Sequence, residues 1–278
     1  MTSVAVSFDE ASAEQEILVP GAPGPVYAPA GPVVFVVPAY NEAENLPRLL
    51  ADLEERPWLF PARSRLIIID DGSEDATPEL GRAYSGPLPL ELVALERNQG
   101  PGAAFRAGFA AALQGCPDDA LIVTLESDTT SDLDRLPAML ERAEAGVDLV
   151  LASVHGGGRM VNVSPLRRIL SVGAGVAVRF ALGLDARTVS SFFRVYRASI
   201  LRRALERYGD TLIEEPGFAC KAELLAKLAG LGARIEEVPV DVDATRRIGE
   251  SRMKVLPTLM GYARLIIRGK VRRESAPT

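Results

Sequence analysis

Three acidic clusters in this chain each follow a short apolar run: Pro38-Ala39-Tyr40-Asn41-Glu42, Asp70-Asp71-Gly72-Ser73 and Glu126-Ser127-Asp128. Carboxylates placed this way suit a hard divalent cation, which takes one or two of them and completes its shell with phosphate oxygens. Asp128 is the foremost candidate ligand for Mg²⁺ or Mn²⁺, and Glu126, two positions earlier, faces the same way in an extended chain. Helix capping by Asp128 or Ser131 is the plain alternative. Asp71, on a second acidic turn, offers acceptors for the N–H groups of a nucleobase, against the alternative of a turn followed by a helix cap. In Asn98-Gln99-Gly100-Pro101-Gly102 the third glycine of a dinucleotide fingerprint is missing, Phe105 standing in its place, so a nicotinamide cofactor is not expected. Gly100 and Gly102 still let backbone approach a ligand at a helix N-terminus. His155 is the sole histidine and no G-x-S-x-G segment accompanies it, so it is read as a loop or packing residue.

Positioning these clusters requires strands that end side by side. The runs Val33 to Val37, Leu66 to Ile69, Leu90 to Leu95 and Leu121 to Leu125 are apolar on both faces, as in central parallel strands. Helical spacing follows over Asn41 to Glu55, after Ser73 or Asp75 as cap with Pro78 in the first turn, and over Ala103 to Leu113. Alternating β and α units predict an α/β fold with a mostly parallel sheet covered on both faces. The carboxyl ends of such strands open on a shared crevice. Beyond Asp132 the pattern loosens into a helix to Ala145, a strand from Asp148 to Ser153, the run Gly156-Gly157-Gly158 and a basic helical region. A strand from Val189 to Tyr196, a helix from Lys221 to Ala229 and an edge strand from Ile235 to Val242, tolerant of Pro239, are expected next. Leu256, Leu259, Met260, Ala263 and Ile267 make Val255 to Lys270 an amphipathic helix, which either lies on a membrane or packs on the body.

The 278 residues, 47% hydrophobic, are enough for one large core or two fused halves of a soluble globular protein. The net charge of −6 hides a segregation: residues 159–208 carry ten Arg/Lys against two Asp/Glu, and 245–278 nine against two. Such basic blocks attract an anionic substrate or membrane surface. No aromatic series interleaves with them, so nucleic acid is not expected as a partner. No uncharged apolar stretch reaches the roughly 18 residues of a spanning helix. Cys116 and Cys220 form no ligand pair and are read as reduced thiols of a cytoplasmic protein. The first residues lack the pattern of a signal peptide, and 1–31 are expected to be a flexible lead-in.

Taken together, Val36-Val37-Pro38-Ala39-Tyr40-Asn41-Glu42, Ile69-Asp70-Asp71-Gly72-Ser73, Asn98-Gln99-Gly100-Pro101-Gly102 and Glu126-Ser127-Asp128 resemble the family 2 glycosyltransferases. Pro165-Leu166-Arg167-Arg168, Ser190-Ser191-Phe192-Phe193-Arg194-Val195-Tyr196-Arg197 and Arg247-Ile248-Gly249-Glu250-Ser251-Arg252-Met253 resemble its polyprenyl- and dolichol-phosphate mannosyltransferase branch. The resemblance implies a GT-A fold, Rossmann-like with helices on both faces and a C-terminal amphipathic helix, a divalent metal and a nucleotide-diphosphate sugar, GDP-mannose or a UDP-sugar. The implied organisation is a catalytic domain over 32–245, with a nucleotide-binding half (32–131) and an acceptor half (132–245), then a mobile basic loop and helix over 246–278. By position, Pro38, Tyr40, Glu42 and Asp71 would surround the nucleoside, with Gly100, Gly102, Glu126 and Ser127 beside them. Asp128 would bind the metal, and Arg247 would close over the phosphates. Arg194 and Arg197 would face the donor or an anionic acceptor, with Arg159 a third candidate for the acceptor phosphate.

Three positions depart from that branch. Thr130 stands where a metal-directed glutamine is common, Ala152-Ser153-Val154 replaces Gly-Ser-Arg with Arg159 a few residues later, and Thr188 replaces an aspartate. Inverting transfer to a polyprenyl phosphate at a membrane surface needs no general base, because the attacking oxygen is already anionic. A hydroxyl acceptor would need one, and Glu215 in Ile213-Glu214-Glu215-Pro216 resembles the acidic segment that supplies it. Glu214-Glu215 is equally a helix-start acidic pair. The rival from another class is a non-catalytic nucleotide-sugar binding protein on the same fold. A peripheral membrane location goes with the lipid acceptor.

Overall fold

The computed structural model describes residues 28–155, 157–161, 165–249, 253 and 255–274. Most of the expected lead-in over 1–31, Gly156, and Glu250, Ser251 and Arg252 of the loop motif lie outside the described residues, as do the side chains of Arg167 and Arg168. The described strands are β1 (Val33–Ala39), β2 (Arg65–Asp70), β3 (Leu90–Ala94), β4 (Leu121–Thr124), β5 (Leu149–Ser153), β6 (Met160–Val161), β7 (Arg194–Arg197), β8 (Ile235–Pro239) and β9 (Val242–Asp243). The helices are α1 (Leu46–Glu54), α2 (Thr77–Ala83), α3 (Pro101–Leu113), α4 (Leu136–Glu144), α5 (Pro165–Leu182), α6 (Ala198–Tyr208), α7 (Cys220–Gly230) and α8 (Val255–Glu274).

One seven-stranded sheet, in the order β3-β2-β1-β4-β7-β5-β8, runs through both halves of the chain. β3, β2, β1 and β4 are parallel, with Ala39 opposite Asp70 and Val36 opposite Thr124, so the three acidic clusters leave the sheet at one edge. The double-faced apolar runs explain the layering. Val34, Val36, Ile67 and Ile69 pack on one side with α3, α6 and α7, whereas Val33, Phe35, Val37, Leu66 and Ile68 pack on the other with α1 and α4. Burying each of these large side chains contributes about 1.5–3 kcal/mol.

Several expected boundaries shift for local reasons. α1 starts at Leu46 rather than Asn41, because Asn41 adopts a left-handed φ of 54°, a conformation asparagine tolerates better than most residues. The Asp75 carboxylate, not Ser73, accepts the Thr77 N–H at the head of α2. The strand expected over Val189 to Tyr196 is confined to β7 and runs antiparallel to both neighbours. Residues 189–193 form instead a loop whose Val189 and Ser191 carbonyls accept hydrogen bonds from Arg194. β8 is an edge strand ending at Pro239, as its tolerance of proline required. Val242–Asp243 leaves it to pair with β6.

Candidate active site

The tips of β1 and β2 are laced together by side chains that the turns present. The Asn41 N–H donates to Ser73 Oγ (2.8 Å), the Glu74 N–H to Asn41 Oδ1 (2.8 Å), and the Glu42 N–H to Thr77 Oγ1 (2.8 Å). Asp71 follows at once, its own N–H donating to the Ala39 carbonyl at 2.8 Å. Its buried carboxylate accepts from the N–H groups of Gln99 (2.9 Å) and Gly100 (2.8 Å). Burial raises its pKa, and those two donors oppose the rise. Pro38, Tyr40 and Glu42 lie half-buried beside this turn.

Beyond β4 the chain turns sharply, with Thr129 held at a φ of 62°. A β-branched residue in that region is strained and needs its surroundings to hold it there. Asp128 closes the turn by accepting from the Thr130 N–H (3.1 Å) and Thr130 Oγ1 (2.5 Å) through one carboxylate oxygen. The other oxygen meets Arg247, whose Nε lies 2.5 Å away and whose Nη2 pairs with it as well. The segment around Arg247 is fixed to the β1 side of the crevice. Asn45 accepts the Ile248 N–H (2.9 Å) and donates to both the Ile248 carbonyl (3.1 Å) and Glu42 (2.7 Å). Arg48 and Thr129 both donate to the Arg246 carbonyl, and Arg246 pairs with Asp52 at 2.7 Å. Asp71, Asp128, Glu42 and Arg247 therefore meet at one edge, although 205 positions separate Glu42 from Arg247.

Glu126 lies half-buried beside Asp128. Its oxygens accept from the Phe192 N–H (3.2 Å) and from Ser131 Oγ. Burial, then the Asp128 charge, raises its pKa. Ser127 is buried between the two. Among the described residues no group of three or more His, Cys, Asp or Glu forms a cage for an ion. One carboxylate at the sheet edge, Asp128, 7% exposed, instead fits a divalent cation shared with ligand phosphates. The Thr130 hydroxyl, in place of the glutamine, spends its proton on Asp128.

Other expected site residues have different neighbours. A Cβ on Gly100 or Gly102 would lie 2.4 Å from the Pro216 carbonyl oxygen or 2.1 Å from that of Glu215, so the close approach they permit is to the protein's own backbone. Glu215, 1% exposed, binds Arg264 of α8 through both oxygens (3.1 and 2.8 Å), with Arg268 at 3.7 Å. Arg159 is exposed and grips Asp241 through two nitrogens. Arg194 does not face a ligand: 1% exposed, it donates to the carbonyls of Ser191 (2.8 Å), Lys221 (3.0 Å) and Val189 (3.1 Å). Arg197 sits opposite Leu121 at the far edge of the sheet, donating to the Ala143 carbonyl, because β7 runs backwards. The departures at Ser153 and Thr188 form one buried pair, their hydroxyls 2.7 Å apart. His155 is a half-buried loop residue whose N–H donates to Ser153 Oγ.

Arg194 is thus a structural cation. Arg194→Met should lower stability by about 2–3 kcal/mol, since three carbonyls lose charged donors in a buried place. Urea unfolding monitored by circular dichroism reads this directly, and a change below roughly 0.5 kcal/mol would contradict the assignment.

Asn45, Asp52 and Thr129 were not singled out in the sequence. Asn45 alone carried a signal there, standing immediately before the leucine-spaced run of α1. The helix α6 was also missed, although Ile200, Leu201, Ala204 and Leu205 are spaced for it.

Comparison with known proteins agrees with this geometry. The family model described as Glycosyl transferase family 2 matches residues 34–205. The undecaprenyl-phosphate mannosyltransferase of Micrococcus luteus is 31% identical over 80% of this chain and 87% of its own. The polyprenol monophosphomannose synthase of Mycolicibacterium smegmatis is 27% identical over 88% and 91%. Among solved structures, glucosyl-3-phosphoglycerate synthase from Mycobacterium tuberculosis, in complex with Mg²⁺ and uridine diphosphate, superposes with a TM-score of 0.59 at 20% identity, covering 90% of this chain and 81% of that one. That likeness shows the shared fold, the GT-A arrangement of a mostly parallel sheet between helices. The chain belongs to the family 2 glycosyltransferases, in the branch that resembles the polyprenyl-phosphate mannosyltransferases.

Proposed function

We propose that this glycosyltransferase moves a sugar, with inversion, from a nucleotide-diphosphate sugar to a polyprenyl phosphate. The observation that carries the reading is the meeting of Asp128 with Arg247, an acidic strand tip and a basic loop brought to one crevice. Asp71 and the half-buried Pro38, Tyr40 and Glu42 would hold the nucleoside beside Ser127, while Gly100 and Gly102 pack the start of α3 against the Glu215–Pro216 backbone behind them. Asp128, backed by Glu126, would hold Mg²⁺ or Mn²⁺, which when bound supplies positive charge to the diphosphate. An acceptor oxygen attacks the anomeric carbon opposite the nucleotide; the carbon–oxygen bond to the diphosphate breaks, and the nucleoside diphosphate leaves with the electron pair. Arg247 moves from the carboxylate to the departing phosphates and stabilises their charge.

The phosphate acceptor is favoured over a hydroxyl because Glu215, the base a hydroxyl would need, is 1% exposed and covered by Arg264 and Arg268 of α8. Both GDP-mannose and UDP-sugars fit the crevice chemistry, and the names of the two relatives favour mannose. A thermal-shift panel of GDP-mannose and UDP-sugars with and without Mn²⁺ tests the donor, since a ligand that binds only the folded form raises apparent stability. One donor should raise the melting temperature only with metal. No shift with any donor would contradict the reading.

We place the protein peripherally on a membrane, on the side where its two free, buried cysteines stay reduced. No helix among the described residues is long and apolar enough to cross one. α5 packs against α8, and together they expose Val176, Phe180, Leu256, Met260 and Ile267 beside basic residues. An apolar face with basic flanks binds anionic lipid surfaces. The double variant Phe180→Asp, Leu256→Asp should co-sediment with phosphatidylglycerol vesicles about tenfold more weakly than the parent. Equal binding would remove this face from the proposal.

A further inference from the structure

An anionic substrate group needs a cation, and the arginines expected to serve are engaged elsewhere: Arg194 by carbonyls, Arg197 at the far edge, Arg159 by Asp241. A fourth cation stands where none was expected. Lys221, in the first turn of α7, is 7% exposed, yet no described residue accepts a hydrogen bond from its ammonium. Nζ lies 3.8 Å from the centroid of the Phe192 ring and 5.4 Å from that of Phe218. With Ser191, Phe192, Phe105, Arg194 and Cys220 it lines a small niche of about 10 Å³, room for a single oxygen. The pocket adjoins the site, for the N–H of Phe192 donates to Glu126.

The neighbouring groups offset this ammonium only in part. The Glu126 charge favours the ammonium without forming an ion pair with it, and the Arg194 charge opposes it. The Cys220 thiol is pushed up to about 12 by burial and stays neutral. Aromatic faces supply only part of what a buried ammonium loses on leaving water. Burial brings Lys221 down to about 8, so at neutral pH it keeps its proton. An anion entering the pocket would be its first strong partner and would strengthen that charge.

We propose that Lys221 is the anion-recognition residue of this enzyme, receiving an anionic oxygen of a substrate in the pocket between Phe192 and the start of α7. The inference rests on the proposed transferase reading and names a residue of that same site. The anionic oxygen belongs either to the acceptor phosphate or to a carboxylate on the transferred sugar.

Isothermal titration of the full chain and its Lys221→Met and Lys221→Arg variants separates these sources. The probes are farnesyl phosphate, UDP-glucuronate against UDP-glucose with Mn²⁺, and UDP with Mn²⁺ as the reference. Lys221→Met should weaken one anionic probe about tenfold or more, equivalent to roughly 1.4 kcal/mol, while UDP binding is unchanged and Lys221→Arg keeps most of the affinity. Loss confined to farnesyl phosphate assigns the acceptor phosphate; loss confined to UDP-glucuronate assigns a sugar carboxylate. The proposal is overturned if the parent binds neither anionic probe, if Lys221→Met binds both within about twofold of the parent, or if it loses UDP equally. Failure of the parent to bind UDP with Mn²⁺ would overturn the donor reading instead, and the farnesyl phosphate arm would still decide Lys221.

Discussion

Asp128→Ala is expected to lower sugar transfer by a factor on the order of 10³, about 4 kcal/mol of transition-state stabilisation. The size follows from what the carboxylate does. In the proposed reaction it would hold the divalent cation, whose charge would act on the departing diphosphate together with that of Arg247. The loss should fall on kcat and on metal-dependent donor binding together, because Asp128 serves both. Its effect on folding should be small by comparison. Asp128 lies on a turn at the sheet edge, and its hydrogen bonds are to Thr130, two residues away, and to Arg247. Steady-state kinetics with a saturating polyprenyl phosphate, beside a melting curve, checks both halves of the expectation. A variant with a native melting temperature and more than a tenth of parental turnover would be incompatible with Asp128 as ligand.

Arg247→Ala is expected to act in two opposite directions. Turnover should fall on the order of 10²- to 10³-fold, since a guanidinium aimed at developing negative charge is worth about 3–4 kcal/mol in a water-poor site. Metal affinity without donor should rise about fivefold. The guanidinium competes with the cation for the same carboxylate oxygen, and a pair of this partly exposed kind is worth about 1 kcal/mol. A merely structural arginine would weaken both quantities. Arg247→Lys should recover part of the turnover, as it restores the charge without the planar fork. Turnover in Arg247→Ala within about threefold of the parent would show that the leaving group is stabilised elsewhere.

The parallel half of the sheet was legible because its strands are buried on both faces, so Val33 to Val37 and Leu66 to Ile69 read as unbroken apolar runs. That in turn made the shared edge of Asp71 and Asp128 legible, since parallel strands end on one side. The antiparallel β7 was not readable in the same way. Arg194 and Arg197 are three residues apart in sequence, but the reversed direction of their strand puts one opposite Thr124 beside the site and the other opposite Leu121 across the sheet. No local pattern reports strand direction. Burial of Arg194 was equally hidden, because its partners are backbone carbonyls, which every sequence has. Glu215 meets Arg264 from 49 positions away, and Lys221 owes its place to Phe192 and Phe218 rather than to any motif. The Asn45 contact to Ile248, which seats the basic loop over the crevice, spans 203 positions and is a product of the fold alone.

A titration of Mn²⁺ followed by electron paramagnetic resonance, with GDP and UDP each present in turn and then absent, bears most directly on the crevice chemistry. One cation per chain should bind tightly only when one of the diphosphates is present, and Asp128→Ala should abolish that coupled binding. Coupled binding that survives unchanged in Asp128→Ala would mean that the cation and the diphosphate meet elsewhere on the protein.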